Sequence, residues 1–190
     1  MSPDSDFFDR FWGVRGSIPC PGPDTAIYGG NTPCVEIRCG SNVLIFDAGT
    51  GIRSLGNILE TDNVSDVNLF LTHTHLDHVN GFPMFNFLFD DKNHLKIWAP
   101  RREVWSPIKD IFEKFMAPPI WPLSVGDLGA EIIFNDFEIE RAFSLKSGII
   151  IRTVELNHPQ GAVGYRVDFS GKSICYVTDT EHVKDRRDQK

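Results

Sequence analysis

Three histidines and one aspartate fall within six residues, in His73-Thr74-His75-Leu76-Asp77-His78. In an extended segment residues two apart point to the same side, so His73 and His75 can face one ion. Asp77 and His78 follow where the chain turns into a helix, and face a position a few ångströms further on. Three neutral imidazoles and a carboxylate form a borderline-hard donor set that suits zinc, with manganese or iron as alternatives. The spacing suggests two adjacent divalent metal ions rather than one. Paired ions about 3.5–4 Å apart activate water and stabilise an in-line displacement. Surface histidines at a helix start are the competing reading, and the density of the motif weighs against it.

The elements around the cluster must then place it. The apolar run 67–72 ahead of His73 reads as a buried strand, and a strand end opening into a helix fixes the backbone while its side chains face outward. Residues 7–17 suit a first strand, and 18–30 hold enough proline and glycine to be a loop. Residues 34–39 and 42–47 form a hairpin about Gly40-Ser41. Ile52, Leu55, Ile58 and Leu59 have helical spacing, as do Phe82, Phe85 and Phe89 within 81–89. Residues 95–99 read as a strand, 103–116 as a helix and 117–122 as a proline-stiffened loop. Later segments, 131–135, 149–156, 162–169 and 172–178, are strands, with Gly171 turning the last two. Strands and helices alternate early and strands dominate late, which fits one layered domain over 1–190 with helices outside two sheets.

Further ligands are expected at other strand ends. His158, after the strand 149–156, is a candidate, although a histidine before Pro159 could equally be a turn residue. Asp179, after the strand 172–178, could bridge two ions or cap a helix.

Taken together these residues resemble the metallo-β-lactamase superfamily. That resemblance implies a four-layer αββα sandwich with the metal site at one edge of the sheets. It implies that His73, His75 and His158 hold a first ion, that Asp77 and His78 hold a second, and that Asp179 bridges them. Phe46-Asp47-Ala48-Gly49-Thr50-Gly51 resembles the loop flanking the site, where Asp47 would support the ligands rather than bind metal. Trp12-Gly13-Val14-Arg15-Gly16-Ser17-Ile18-Pro19, Tyr28-Gly29-Gly30-Asn31-Thr32-Pro33-Cys34 and Thr178-Asp179-Thr180-Glu181-His182 are similar to the phosphodiesterase-like branch, which includes ribonuclease Z and enzymes of cyclic phosphates. Superfamily members carry a last metal histidine after the bridging aspartate. The chain ends at Lys190 without one, so the last strand and helix are expected to be missing.

Arg15 and Asn31 could face a substrate phosphate, with an ion pair and a turn as their structural alternatives. His182 is read as a substrate-side or proton-donating group, or a surface residue. The expected activity is that of a metal-dependent hydrolase in which Asp77 orients a metal-bound hydroxide toward a phosphodiester, cyclic nucleotide or cyclic ribose phosphate among the options. A thioester or lactam hydrolase with the same site, and a non-catalytic metal-binding sensory module, are the alternatives.

Composition bounds the rest. The 190 residues are 41% apolar and 24% charged, an ordinary globular balance. A formal net charge of -7 argues against a broad nucleic-acid surface, so the expected partner is a small-molecule phosphodiester, with a homodimer as an option. No apolar run approaches the ~20 residues a membrane helix needs. The acidic start lacks signal-peptide regions, and four cysteines without C-x-x-C spacing suggest neither a disulfide framework nor a zinc knuckle. A cytoplasmic setting is expected.

Overall fold

The computed structural model describes residues 6–102 and 106–181. It separates into two compact units, Met1–Glu138 and Ile139–Lys190. Each carries one sheet.

The first unit is built on a six-stranded sheet, β1 (Phe7–Gly13), β2 (Cys34–Cys39), β3 (Asn42–Phe46), β4 (Asp66–Phe70), β5 (His94–Pro100) and β6 (Glu131–Phe137), paired in that order. β1, β2 and β3 run antiparallel, the last two as a hairpin around Gly40. The buried Glu36 carboxylate ties β1 to β2: it accepts from Trp12 Nε1 at 3.0 Å and pairs with Arg38. From β3 to β6 the strands are parallel, which requires crossover connections. Helix α1 (Ile52–Thr61) makes the first of these and buries Ile52, Leu55, Gly56 and Leu59 on one face. Its partners in the core include Val43, Ile45, Val67, Leu69, Phe82 and Phe85. A four-residue helix, α2 (Leu76–Val79), follows β4. Helix α3 (Ile108–Phe115) contributes Ile108 and Phe112. The first residues of the helix expected over 103–116, namely 103–105, lie outside the described residues.

The phenylalanine spacing in 81–89 does not make an α-helix. Phe82–Met84 and Asn86–Phe89 are separate 3₁₀ turns joined through an extended Phe85 (φ -80°, ψ 100°). The three-residue step from Phe82 to Phe85 suits a 3₁₀ turn as well as an α-helix, and Phe89, four residues further on and expected inside, is 49% exposed.

Strand register decides where the functional edge lies. Phe46, Phe70 and Trp98 lie side by side on β3, β4 and β5, with ring centroids 5.3 and 5.9 Å apart. The residues just beyond this aromatic row, Asp47 and 71–73, therefore emerge together at the carboxyl ends of parallel strands. That edge is where open α/β sheets bind ligands.

The second unit is an antiparallel sheet ordered β10-β9-β8-β7, from β7 (Ala142–Ser144), β8 (Ile150–Leu156), β9 (Ala162–Phe169) and β10 (Lys172–Tyr176). β9 and β10 join through Ser170 and Gly171, both at positive φ, the requirement of a tight type I′ hairpin. β8 and β10 flank β9 and run the same way, so the loops after them leave from one end of the sheet. Three-residue β7 has no counterpart among the strands expected from the sequence.

Candidate metal centre

Every side chain of the motif sits where β4 ends. β4 continues as Leu71 and Thr72, and His75 then caps α2. His73 and His78 are fully buried, Asp77 is 8% exposed and His75 is half-buried. His73 Nε2 and His75 Nδ1 approach to 2.9 Å, as expected for alternate residues of an extended segment. The His73 ring lies 4.2 Å, centroid to centroid, from that of His78. His78 Nε2 is 3.7 Å from Asp77 Oδ2. The helix turn thus carries a second donor pair beside the first.

Asp47 stands behind these groups. Its carboxylate is fully buried and accepts from Thr72 N–H at 2.8 Å, from the Thr72 hydroxyl at 3.0 Å and from His78 Nδ1 at 2.9 Å. An imidazole that donates through Nδ1 to a carboxylate keeps Nε2 as its lone-pair nitrogen, the arrangement that orients a metal-binding histidine. Here Nε2 of His78 faces Asp77. Asp47 adopts φ 62°, a left-handed conformation that aspartate tolerates better than most residues.

Two contributors were not singled out from sequence. Thr72 Oγ1 lies 3.0 Å from His73 Nδ1 and 3.4 Å from His78 Nδ1, so one hydroxyl joins Asp47 to both rings. A hydroxyl residue ending an apolar strand beside a histidine was the available signal. Ser17 N–H donates to Asp77 Oδ2 at 2.7 Å across a separation of 60 residues. Being a backbone group, it has no signature in residue type.

The loops that carry these groups are locked to each other. Thr32 and Thr50 exchange bonds, Thr32 N to Thr50 Oγ1 at 2.9 Å and Thr50 N to Thr32 Oγ1 at 2.8 Å. Gly49 is obligatory in this packing, since a Cβ there would lie 2.4 Å from the Asp77 carbonyl oxygen. Asn31 belongs to the same lattice: its Oδ1 accepts from Thr50 Oγ1 and its backbone carbonyl from the N–H groups of Val14 and Arg15. Arg15 Nε is buried and has no hydrogen-bond partner among the described residues. Next to Asp47, burial and then the Asp47 and Glu36 charges push the Cys34 thiol well above its ordinary range.

In the second unit, His158 follows β8 and Asp179 follows β10. His158 Nε2 lies 3.7 Å from Asp179 Oδ2. Asn157 and Glu181 join the two loops, Glu181 N to Asn157 O at 2.6 Å and Asn157 Nδ2 to Glu181 O at 2.8 Å. Thr178 Oγ1 donates to Asp179 Oδ1 at 2.8 Å. His182 lies outside the described residues.

The first unit alone thus supplies three imidazoles and a carboxylate, with one ring oriented from behind by a carboxylate, and this donor set fits borderline divalent ions. The family model described as "Beta-lactamase superfamily domain" matches residues 42–190. The chain belongs to this superfamily. Its fold is of the α/β metallo-β-lactamase type: the metallo-β-lactamase fold protein YhfI from Bacillus subtilis superposes with a TM-score of 0.62 at 15% identity, covering 90% of this chain and 61% of that one. The short form of human tRNase Z superposes with a TM-score of 0.60 at 19% identity, covering 90% and 68%. In sequence, ribonuclease Z of Archaeoglobus fulgidus is 28% identical over 135 residues, 68% of this chain and 41% of that protein. The superfamily chain therefore spans less than half the length of this curated relative.

These relatives overturn one expectation. The partner was expected to be a small-molecule phosphodiester, without a broad nucleic-acid surface. The relatives are by name ribonuclease Z and tRNase Z, enzymes of RNA. A net charge of -7 describes the whole chain, whereas a substrate strand is met locally, and a bound cation inverts the local field. Among the described residues no helix is long and apolar enough to cross a membrane.

Proposed function

We propose that this chain is a metal-dependent phosphodiesterase that hydrolyses RNA. The observation that carries the reading is the buried convergence of His73, His75, Asp77 and His78 with Asp47 behind them, in a chain whose curated relatives are ribonucleases Z. We assign His73, His75 and His158 to one ion, Asp77 and His78 to a second, and Asp179 to both, following the family resemblance. Zinc is the ion this donor set favours. When bound, such ions lower the pKa of a water and offset the charge of a phosphate.

The protein's own groups do the rest. Asp47 and Thr72 hold the His78 and His73 rings in one orientation, so little reorganisation is left for the reaction itself. The Ser17 N–H fixes one oxygen of Asp77, which makes Asp77 the carboxylate positioned to orient the attacking water and take its proton. Arg15, whose Nε is buried without a partner among the described residues, suits an oxygen of the scissile phosphate, for which a guanidinium is the best-matched side chain.

The test is incubation of the zinc- or manganese-loaded protein with end-labelled RNA. Cleavage is expected, and it should disappear in His73→Ala and Asp77→Ala. Metal-loaded, folded protein that leaves RNA intact would refute the proposal.

A further inference from the structure

The hydrogen bonds that lock the loops around Asp77 have a direction, and they leave one amide with its donors free. Thr32, fully buried, accepts the Thr50 N–H at its Oγ1 at 2.8 Å, and Thr50 Oγ1 accepts the Thr32 N–H at 2.9 Å. Each hydroxyl then has one proton to place. That of Thr50 faces Asn31 Oδ1 at 3.2 Å. That of Thr32 has two acceptors in view, Thr50 Oγ1 at 3.4 Å and Asn80 Oδ1 at 3.0 Å. The shorter contact is the stronger one, so Asn80 turns its oxygen to Thr32 and its NH₂ group away. Among the described residues that NH₂ group has no acceptor, and Asn80 is only half-buried, so a ligand can reach it.

The amide belongs to the element that carries Asp77 and His78. Asn80 closes α2 with its N–H on the Leu76 carbonyl at 2.8 Å and keeps helical angles (φ -66°, ψ -17°). Three residues on from Asp77 in a helical turn, it shares that residue's side of α2, and its Cα–Cβ bond leans toward the helix start. The Thr32 hydroxyl sits close by: a Cβ on Gly49 would lie 2.5 Å from Thr32 Oγ1 and 2.4 Å from the Asp77 carbonyl oxygen. Arg15 hangs on the same lattice, since its N–H donates to the Asn31 carbonyl at 2.9 Å and that of Val14 at 3.0 Å.

We infer that Asn80 is a substrate-binding residue whose Nδ2 donates to a non-bridging oxygen of the scissile phosphate, alongside the guanidinium of Arg15. This rests on the phosphodiesterase reading and adds a neutral donor to it. The chemistry selects the oxygen of an anion. With Oδ1 engaged by Thr32, the amide offers donors only, and an ionised phosphate oxygen is the acceptor that rewards such donors most. Held from behind by Thr32, the amide meets the substrate already oriented, so little conformational entropy is lost on binding. Thr32 is then a positioning residue, because without its hydroxyl the amide is free to turn.

The experiment compares Asn80→Asp, Asn80→Ala, Thr32→Val and Thr32→Ser with the parent, each as the full zinc-loaded chain. Asn80→Asp keeps the oxygen that Thr32 bonds and puts a second, negative oxygen where the donor was. KM for bis(p-nitrophenyl) phosphate and for end-labelled RNA is expected to rise about tenfold or more in Asn80→Asp and Asn80→Ala, with zinc affinity within about twofold of the parent. Thr32→Val should show the same rise, and Thr32→Ser should not. Isothermal titration with inorganic phosphate reads binding without hydrolysis, and the affinity should fall by a similar factor in Asn80→Asp. An Asn80→Asp protein whose KM values and phosphate affinity stay within about twofold of the parent, while RNA is still cleaved, overturns the contact and leaves the hydrolase. Phosphate binding that depends on Asn80, in a parent that cleaves no RNA, keeps the contact and overturns the hydrolase. A rise in KM for RNA alone would overturn the phosphate as the partner, since bis(p-nitrophenyl) phosphate has neither ribose nor base.

Discussion

Replacing Asp47 by Asn tests whether the group behind the histidines tunes the site or only fills space. The amide matches the carboxylate in shape and tolerates the left-handed backbone at φ 62°. Its remaining oxygen can still accept from Thr72 N–H, which lies 2.8 Å from Oδ1. The NH₂ group then faces His78 Nδ1, at 2.9 Å from the position of Oδ2, and two donors meet. Losing a hydrogen bond to a buried charged group costs about 1.5–3 kcal/mol, a fall of roughly 3–12 °C in melting temperature for a chain of this size. His78 can relieve the clash by moving its proton to Nε2, which removes the lone pair that faces Asp77. Zinc affinity should then drop about 10–100-fold. The assays are a circular-dichroism melt and competition for zinc against a chromophoric chelator. A variant that melts lower but binds zinc within about twofold of the parent would refute the assigned role and leave Asp47 a packing residue.

Ser17 acts through its backbone, so Ser17→Gly, which keeps the N–H and suits φ 68°, should leave zinc binding and RNA cleavage unchanged. Ser17→Pro removes the donor to Asp77 and should lower cleavage about tenfold or more, read as initial rates at saturating zinc. Burial pushes the Cys39 thiol from 9.0 up to about 12, so the folded state holds a proton that the unfolded chain releases sooner. This contribution to stability is whole below pH 9.0 and is lost as pH rises toward about 12. Urea midpoints should therefore fall more steeply with pH in the parent than in Cys39→Ala, and equal slopes would count against the burial argument. Leu55→Ala, in the buried face of α1, should cost about 2–5 kcal/mol without altering the zinc stoichiometry of the protein that remains folded, measured by denaturant titration and elemental analysis.

What could be read from sequence was what the chain states locally. The candidate donors of the 73–78 cluster fall within six residues, and a strand end followed by a helix start is a local pattern, so their placement follows from periodicity. Asp47 was reached only through the resemblance, because its partners, Thr72 and His78, are 25 and 31 residues away. Ser17 was out of reach, since a backbone N–H looks the same at every position. Segment 81–89 misled because the three-residue step from Phe82 to Phe85 suits either kind of helix, and the extended Phe85 splits the segment into separate turns. The partner was misjudged for a different reason: net charge is a sum over the chain, and recognition depends on where the charge lies.

That the histidine cluster is a metal centre is tested most directly by elemental analysis of purified, zinc-equilibrated protein, beside His73→Ala and His78→Ala variants shown to be folded. Two equivalents of zinc per chain are expected in the parent and fewer in each variant. Folded parent protein that retains no zinc would contradict the metal centre itself.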